Sequence, residues 1–309
     1  MKPWLVVLVL AACVACGGRK HRVQPVRPIA AHPATHAERI LGMLPQGAQV
    51  VVEVDLARLR ANPVVGHLVT RLLGEIALPK GVEAPPLAGV DTLVLAAYGV
   101  GTSQAATITI VSAKQPVAGA TPLADGIYGL GPPEWLNQVE ARAGLVDREG
   151  QPVAVAAPEL LALRDHAMPV GAPGASLRVT ARLAFDARVS LARQIGVESA
   201  PAQLSIWADV VDDFAMIVDC DATDPGEKKQ QRAGQKMANM LRGALGALAE
   251  DPKIRALGLP SSLAEARLIA KGAWVRTIVA VGPTHLKRVV ERAETLLGPA
   301  PAPAPANPP

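Results

Sequence analysis

Between residues 37 and 298 the sequence alternates short β-branched runs with segments of helical periodicity. Gln49–Val54 and Asp91–Tyr98 have the length and composition of strands, because branched side chains fit a pleated surface. Within residues 227–250, apolar side chains recur every three or four positions and so share one helix face. Half of the chain is apolar and only 19% is charged, so it can bury a core built from both kinds of element.

Short turns join neighbouring predicted strands, which favours antiparallel pairing. Gln203–Val210 and Phe214–Asp219 flank a turn at residues 211–213. Ala264–Ala270 and Ala273–Val281 are separated by two residues, and a last helix is predicted over residues 285–297. This order is typical of an α+β fold with mostly antiparallel sheets and flanking helices.

The predicted elements fall into two similar halves. Val54-Asp55-Leu56-Ala57-Arg58 in the first half resembles Ala184-Phe185-Asp186-Ala187-Arg188 in the second. Residues 167–175 are small and rich in proline and glycine, which is typical of a boundary. We therefore predict two similar strand-plus-helix units, residues 37–170 and residues 171–298.

Both ends of this body have compositions that disfavour a packed structure. Residues 17–36 contain proline, glycine, histidine and arginine without periodicity, which predicts an extended basic tether. Residues 299–309 are rich in alanine and proline. Because proline lacks the N–H that helices and sheets need, we predict a disordered tail there.

The net charge of +4 is concentrated near the start of the chain. Residues 17–36 hold four cations and no acid, and Lys2 adds a fifth cation, so residues 37–309 sum to −1. A nucleic-acid-binding protein carries its positive charge on a folded face. Four Trp, two Tyr and two Phe are too few for a base-stacking surface. The sequence therefore argues against a nucleic-acid partner.

Residues 1–16 have the pattern of an export signal. Lys2 precedes a short apolar stretch, Trp4–Leu10, and then small residues, and the stretch is too short to span a bilayer. Leu10-Ala11-Ala12-Cys13 resembles the bacterial lipobox, in which a leucine and two small residues precede a cysteine. Cys13-Val14-Ala15-Cys16 is a second match, with cysteine in place of the leucine.

The lipobox resemblance implies a lipoprotein. A diacylglycerol thioether would form on Cys13 or Cys16, the signal would be cleaved before that residue, and the new amino group would be acylated. Two or three acyl chains hold a protein stably at a membrane, whereas one chain does not. Neither cysteine is followed by the aspartate that tends to hold such proteins at the inner membrane. The resemblance therefore favours the outer membrane, facing the periplasm.

Residues 217–223 contain the strongest candidate for a catalytic motif. A hydrophobic strand ending in D-x-D-x-T resembles the first motif of haloacid-dehalogenase-type phosphatases. The resemblance implies Asp219 as nucleophile, Asp221 as acid or base, and Mg²⁺ between carboxylates. The later residues lack that family's second acidic pair, and the strand is predicted to be antiparallel to its neighbour rather than parallel.

The other residues that could carry chemistry are scattered along the chain. His67, His166 and His285 are isolated, and each is predicted to be a partly exposed helix residue rather than a ligand or base. Cys220 is predicted either to pair with a spare signal cysteine or to be a small buried residue. We therefore assign no catalytic residue and no metal ligand, and we expect no cofactor.

Three hypotheses of function follow. The first is a non-enzymatic, lipid-anchored cell-envelope protein that presents a surface to an envelope protein partner. The layout of residues 38–297 resembles uncharacterised bacterial envelope lipoproteins with an "LP…VVVEVDLARL" opening, for which no activity is known. The second hypothesis is a lipoprotein that binds a lipid or another apolar small ligand in a cavity between the units. The third is a metal-dependent phosphohydrolase at Asp219 and Asp221.

Overall fold

A computed structural model describes residues 35–75, 87–143, 158–172, 174–195, 200–222 and 230–298. Within these ranges the protein has a mixed α+β fold built on one large antiparallel sheet, which confirms the predicted fold class. The export signal, residues 17–34 of the tether and the tail at 299–309 lie outside the described residues. No helix in the described ranges combines the length and apolar composition that crossing a membrane requires.

The described residues contribute ten strands to the sheet, and neighbouring strands are antiparallel throughout. In chain order the strands are β1 Val50–Asp55, β2 Val90–Tyr98, β3 Ala106–Ala113, β4 Thr121–Ala124, β5 Ile127–Leu130, β6 Leu177–Arg182, β7 Gln203–Val210, β8 Phe214–Asp221, β9 Arg267–Lys271 and β10 Trp274–Val281. The predicted hairpins β7–β8 and β9–β10 are both present.

Helices precede, separate and follow the strands. They are α1 His36–Met43, α2 Leu56–Ala61, α3 Gly66–Glu75, α4 Pro133–Ala143, α5 Pro158–Arg164, α6 Phe185–Ile195, α7 Gln230–Ala249, α8 Pro252–Leu257, α9 Pro260–Ala264 and α10 Pro283–Leu297. Local capping explains several boundaries. Asp55 ends β1 and accepts the N–H of Arg58 at 2.8 Å, so the same residue begins α2. Asp251 accepts the N–H of Lys253 at 2.8 Å and begins α8.

The strand order repeats once within a single sheet. The full order is β4-β5-β3-β2-β1-β6-β7-β8-β10-β9. Counted outward from the centre, the two halves are β1-β2-β3-β5-β4 and β6-β7-β8-β10-β9. In each half the first three strands follow chain order and the last two are reversed. The halves meet where β1 pairs with β6 and Val52 lies opposite Val179.

Ion pairing also joins the two halves. Arg58 on α2 donates from Nε and Nη2 to the two carboxylate oxygens of Asp209 on β7, at 2.8 and 2.6 Å. The hydroxyl of Ser176, next to β6, donates to the same carboxylate at 2.7 Å. Paired hydrogen bonds of this kind fix geometry because both ends of the guanidinium are held.

The helices do not follow the repeat of the strands. We call the face that carries Val51 and Glu53 of β1 the lower face and the opposite one the upper face. In the first half, α1, α4 and α5 pack on the lower face around a core that includes Val51, Ile108 and Leu136. In the second half, α8, α9 and α10 pack on the upper face around Phe214 and its neighbours. This difference leaves part of the lower face of the second half without a described helix.

Some expectations differ from the structure. The segment from β4 to α4 was not predicted, because Pro122 and several glycines there are typical of turns. The alternation of apolar and polar side chains over residues 177–184 predicts a half-exposed strand, which is wrong. Arg178–Ala181 are buried, because β6 lies at the centre of the sheet with α5 on its lower face. The sequence also predicts a hairpin around residues 148–156, which lie outside the described residues.

Candidate functional site

Three consecutive residues at the end of α5 each bond to a different strand of the lower face. Arg164 pairs with Glu53 on β1, Asp165 with Arg178 on β6, and His166 with Asp219 on β8. We call this set, together with Arg276 of β10, the charged row. Because its members come from both halves of the sheet, the charged row fixes α5 across the junction between the halves.

The innermost pair of the charged row is bidentate. Arg164 donates from Nε and Nη2 to the two oxygens of Glu53, at 2.7 and 2.8 Å. Arg164 is 7% exposed and Glu53 is 5% exposed. Burial alone would lower the pKa of Arg164, but the hydrogen bond and the charge of Glu53 outweigh burial, so the pKa is raised. The pair is therefore held charged in the interior.

The second pair lies nearer the surface. Arg178 donates from Nη1 to Asp165 at 2.9 Å. Burial lowers the pKa of Arg178, and the neighbouring charge of Arg164 lowers it further, against the attraction of Glu53 and Asp165. Two guanidinium groups thus sit side by side on the lower face, and acids on both sides balance them.

Asp219 is held on both of its oxygens. Arg276 donates from Nε at 2.8 Å and from Nη2 at 2.6 Å, and His166 Nδ1 lies 2.7 Å from Oδ2. Arg276 also donates to the main-chain oxygen of His166 at 2.8 Å. The imidazole stacks on Trp274 with ring centroids 4.0 Å apart. The hydrogen bond to Asp219 raises the pKa of Arg276.

This geometry does not fit the phosphatase motif. A nucleophilic carboxylate needs an oxygen free to attack, whereas Asp219 is 1% exposed and engaged by two partners. The strand of Asp219 and Asp221 lies between antiparallel neighbours, as the sequence predicts, and that family's strand is parallel. In the part of the chain that the structure describes, no group of three or more histidine, cysteine or acidic side chains could hold a metal ion.

Cys220 faces away from the charged row. It lies on the upper face between Asp219 and Asp221 and is 2% exposed. Burial, together with the two flanking carboxylates, raises the pKa of its thiol to about 12. A thiol of this kind is a small buried residue rather than a nucleophile. The two cysteines of the lipobox matches, Cys13 and Cys16, lie outside the described residues.

A small apolar cleft opens on the lower face where β1 and β6 join the two halves. Its cavity volume is about 20 Å³, which is room for a water molecule and not for an acyl chain. The apolar walls come from α1, the loop after α1, β1 and α5. They include Leu41, Leu44, Ala48, Val51, Leu160 and Leu161. The Arg164–Glu53 pair closes one side of the cleft.

The fold and the site together define an α+β protein with a duplicated antiparallel sheet and a charged row of fixed ion pairs. No family model matches the sequence, and no curated protein matches it. Two solved structures with a similar arrangement are crystal forms I and III of TP0453, each 9% identical in sequence. Their TM-scores are 0.39 and 0.43, covering 82% and 81% of this chain and 96% of each TP0453 chain. At these values the likeness carries no argument about function.

Proposed function

We propose that the chain is a lipid-anchored protein of the bacterial cell envelope whose folded body is a binding module rather than an enzyme. The observation that carries the proposal is Leu10-Ala11-Ala12-Cys13, directly after one cation and an apolar stretch. Acyl chains on Cys13 or Cys16 would hold the protein at the outer membrane, facing the periplasm. Residues 17–36 would act as a tether that gives the body freedom to meet an envelope protein partner.

The state of the charged row supports a binding role. Asp219 is the best candidate for a catalytic carboxylate, and its two oxygens are already engaged by Arg276 and His166. Both oxygens of Glu53 are engaged by Arg164. Charged groups that have their hydrogen-bond partners in place rigidify the strands and helices that carry them. The lower face is therefore built as a rigid surface.

Removal of both motif cysteines tests the anchor. In the native host, we expect the Cys13→Ser/Cys16→Ser double variant to leave the membrane fraction and the detergent phase. Of the two single variants, the one that retains the acylated cysteine should stay membrane-bound, so the cysteine that it retains is the acylated residue. Mass spectrometry of the purified native chain should find the acyl chains on that residue.

Cys220→Ala is the matched control, because it removes a cysteine outside the lipobox matches. It should partition as the unchanged chain does. Membrane association of the double variant equal to that of the unchanged chain would contradict the proposal. So would an unmodified native chain that still begins with its initiator methionine.

A further inference from the structure

Part of the lower face in the second half is not covered by any described helix. The described helices that pack on β9 and β10, which include α7 and α9, lie on the upper face. On the lower face, Ile217 and Ile278 are half-buried and Ile269 is 52% exposed. We call the part of the lower face from these three isoleucines to the β9 edge the open face. Apolar side chains left uncovered in this way are typical of a contact surface.

The sheet ends at two unlike edges. β4 spans four residues and contains Pro122, which cannot donate to another strand. β9 spans five residues, Arg267–Lys271, without proline, and no described strand lies beyond it. A proline protects an edge from further pairing, so the edge at β9 is the better template for an added strand.

The β9–β10 turn determines which groups of β9 point outward. Lys271 pairs with Trp274 across a two-residue turn, so these two residues exchange main-chain hydrogen bonds. Hydrogen-bonded and non-hydrogen-bonded residue pairs alternate along two antiparallel strands. The main chains of Ile269 and Arg267 therefore also bond to β10. Leu268 and Ala270 therefore direct their N–H and C=O groups away from β10, towards the free edge.

The side chains of β9 on the open face alternate cation, apolar, cation. Arg267, Ile269 and Lys271 are all exposed there, and the two cations form no ion pair with the residues that the structure describes. Antiparallel pairing with the β9 of a second copy, centred on Ile269, would set Arg267 opposite Lys271. Like charges directly opposite each other are destabilising. The complementary partner carries acids at these two positions.

We propose that β9 is the docking edge for an extended segment of another protein, with acidic side chains two residues before and two residues after an apolar one. The segment adds to the sheet as a further antiparallel strand. Its main chain bonds to Leu268 and Ala270, its acids pair with Arg267 and Lys271, and its apolar side chain packs on Ile269. This names the partner chemistry of the proposed binding module and is independent of the lipid anchor.

A pair of synthetic peptides tests the proposal on the full chain in detergent. The probe has glutamate, valine and glutamate at alternate positions among threonines, and the control peptide has lysine in place of both glutamates. We expect the probe to bind with a Kd below about 1 mM and the control at least about tenfold more weakly. Titration is followed by tryptophan fluorescence, to which Trp274, the cross-strand neighbour of Lys271, contributes. Amide exchange of Leu268 and Ala270 should slow when the probe binds.

Variants separate edge pairing from general attraction. The Arg267→Glu/Lys271→Glu double variant should prefer the lysine peptide. Ala270→Pro should abolish binding without unfolding the protein, because it removes an N–H that faces outward. Arg242→Glu, on an exposed side of α7, should change nothing.

Three outcomes would overturn the proposal. The first is equal binding of the two peptides, and the second is no binding of the probe at millimolar concentration. The third is slow exchange of Leu268 and Ala270 in the free protein, since another segment would then already occupy the edge. Peptide binding does not depend on whether Cys13 or Cys16 is acylated, so a failed anchor and a failed docking edge give different results.

Discussion

Replacement of Arg164 by methionine is expected to lower the free energy of unfolding by about 3–5 kcal/mol. The substitution leaves Glu53 in the interior with 5% of its surface exposed and without the guanidinium that holds both of its oxygens. A buried carboxylate without a partner either keeps its charge at a high cost or takes up a proton, and both outcomes destabilise the fold. Denaturant unfolding at neutral pH measures the loss.

Two further variants show whether burial causes the effect. Arg255→Met removes an exposed ion pair with Glu250 and should change the stability by at most about 1 kcal/mol. The double variant Glu53→Met/Arg164→Met should recover most of the loss, because an apolar pair of similar volume needs no compensation. If the double variant is as unstable as Arg164→Met, the unpaired charge is not the cause.

The fold class could be predicted because it depends on local patterns. The runs around Val50–Asp55 and Gln203–Val210 have apolar residues at alternate positions, and hairpins need only a short turn between two such runs. β4 and β5 could not be found in this way. They are four residues long, and Pro122 and Gly129 weaken the strand signal.

The arrangement of the halves could be predicted only in outline. The echo between residues 54–58 and 184–188 indicates a repeat, but no local pattern shows that β1 pairs with β6 across more than a hundred residues. The structure adds the shared strand order, which is a property of topology rather than of residue identity. Sequences can diverge while the order of hairpins stays the same.

The charged row was missed, although the sequence contained a signal for it. Glu53 is the only charged residue in the apolar run of residues 49–54, and a buried acid needs a partner. That partner, Arg164, is 111 residues away, so its identity depends on the tertiary fold. The prediction that His166 is partly exposed agrees with its side-chain exposure of 41%, but its bond to Asp219 could not be deduced from an isolated histidine.

Replacement of Gly234 by alanine is expected to destabilise the protein by about 1–3 kcal/mol, although alanine is the better helix former. Gly234 lies in α7, and a Cβ there would overlap the main-chain oxygen of Gly272 in the β9–β10 turn. Main-chain atoms cannot move aside as the end of a side chain can, so the helix and the turn must separate. Thermal or denaturant unfolding measures the change.

Gly243→Ala is the matched control, since it makes the same substitution in the same helix where a Cβ meets nothing within 4 Å. Here the intrinsic helix preference should act alone and stabilise the protein by up to about 1 kcal/mol. The two variants should therefore have effects of opposite sign. If both stabilise the protein, α7 does not need its close approach to the turn. If the signs differ as expected, the absence of a side chain at Gly234 is what allows α7 to pack against the β9–β10 turn.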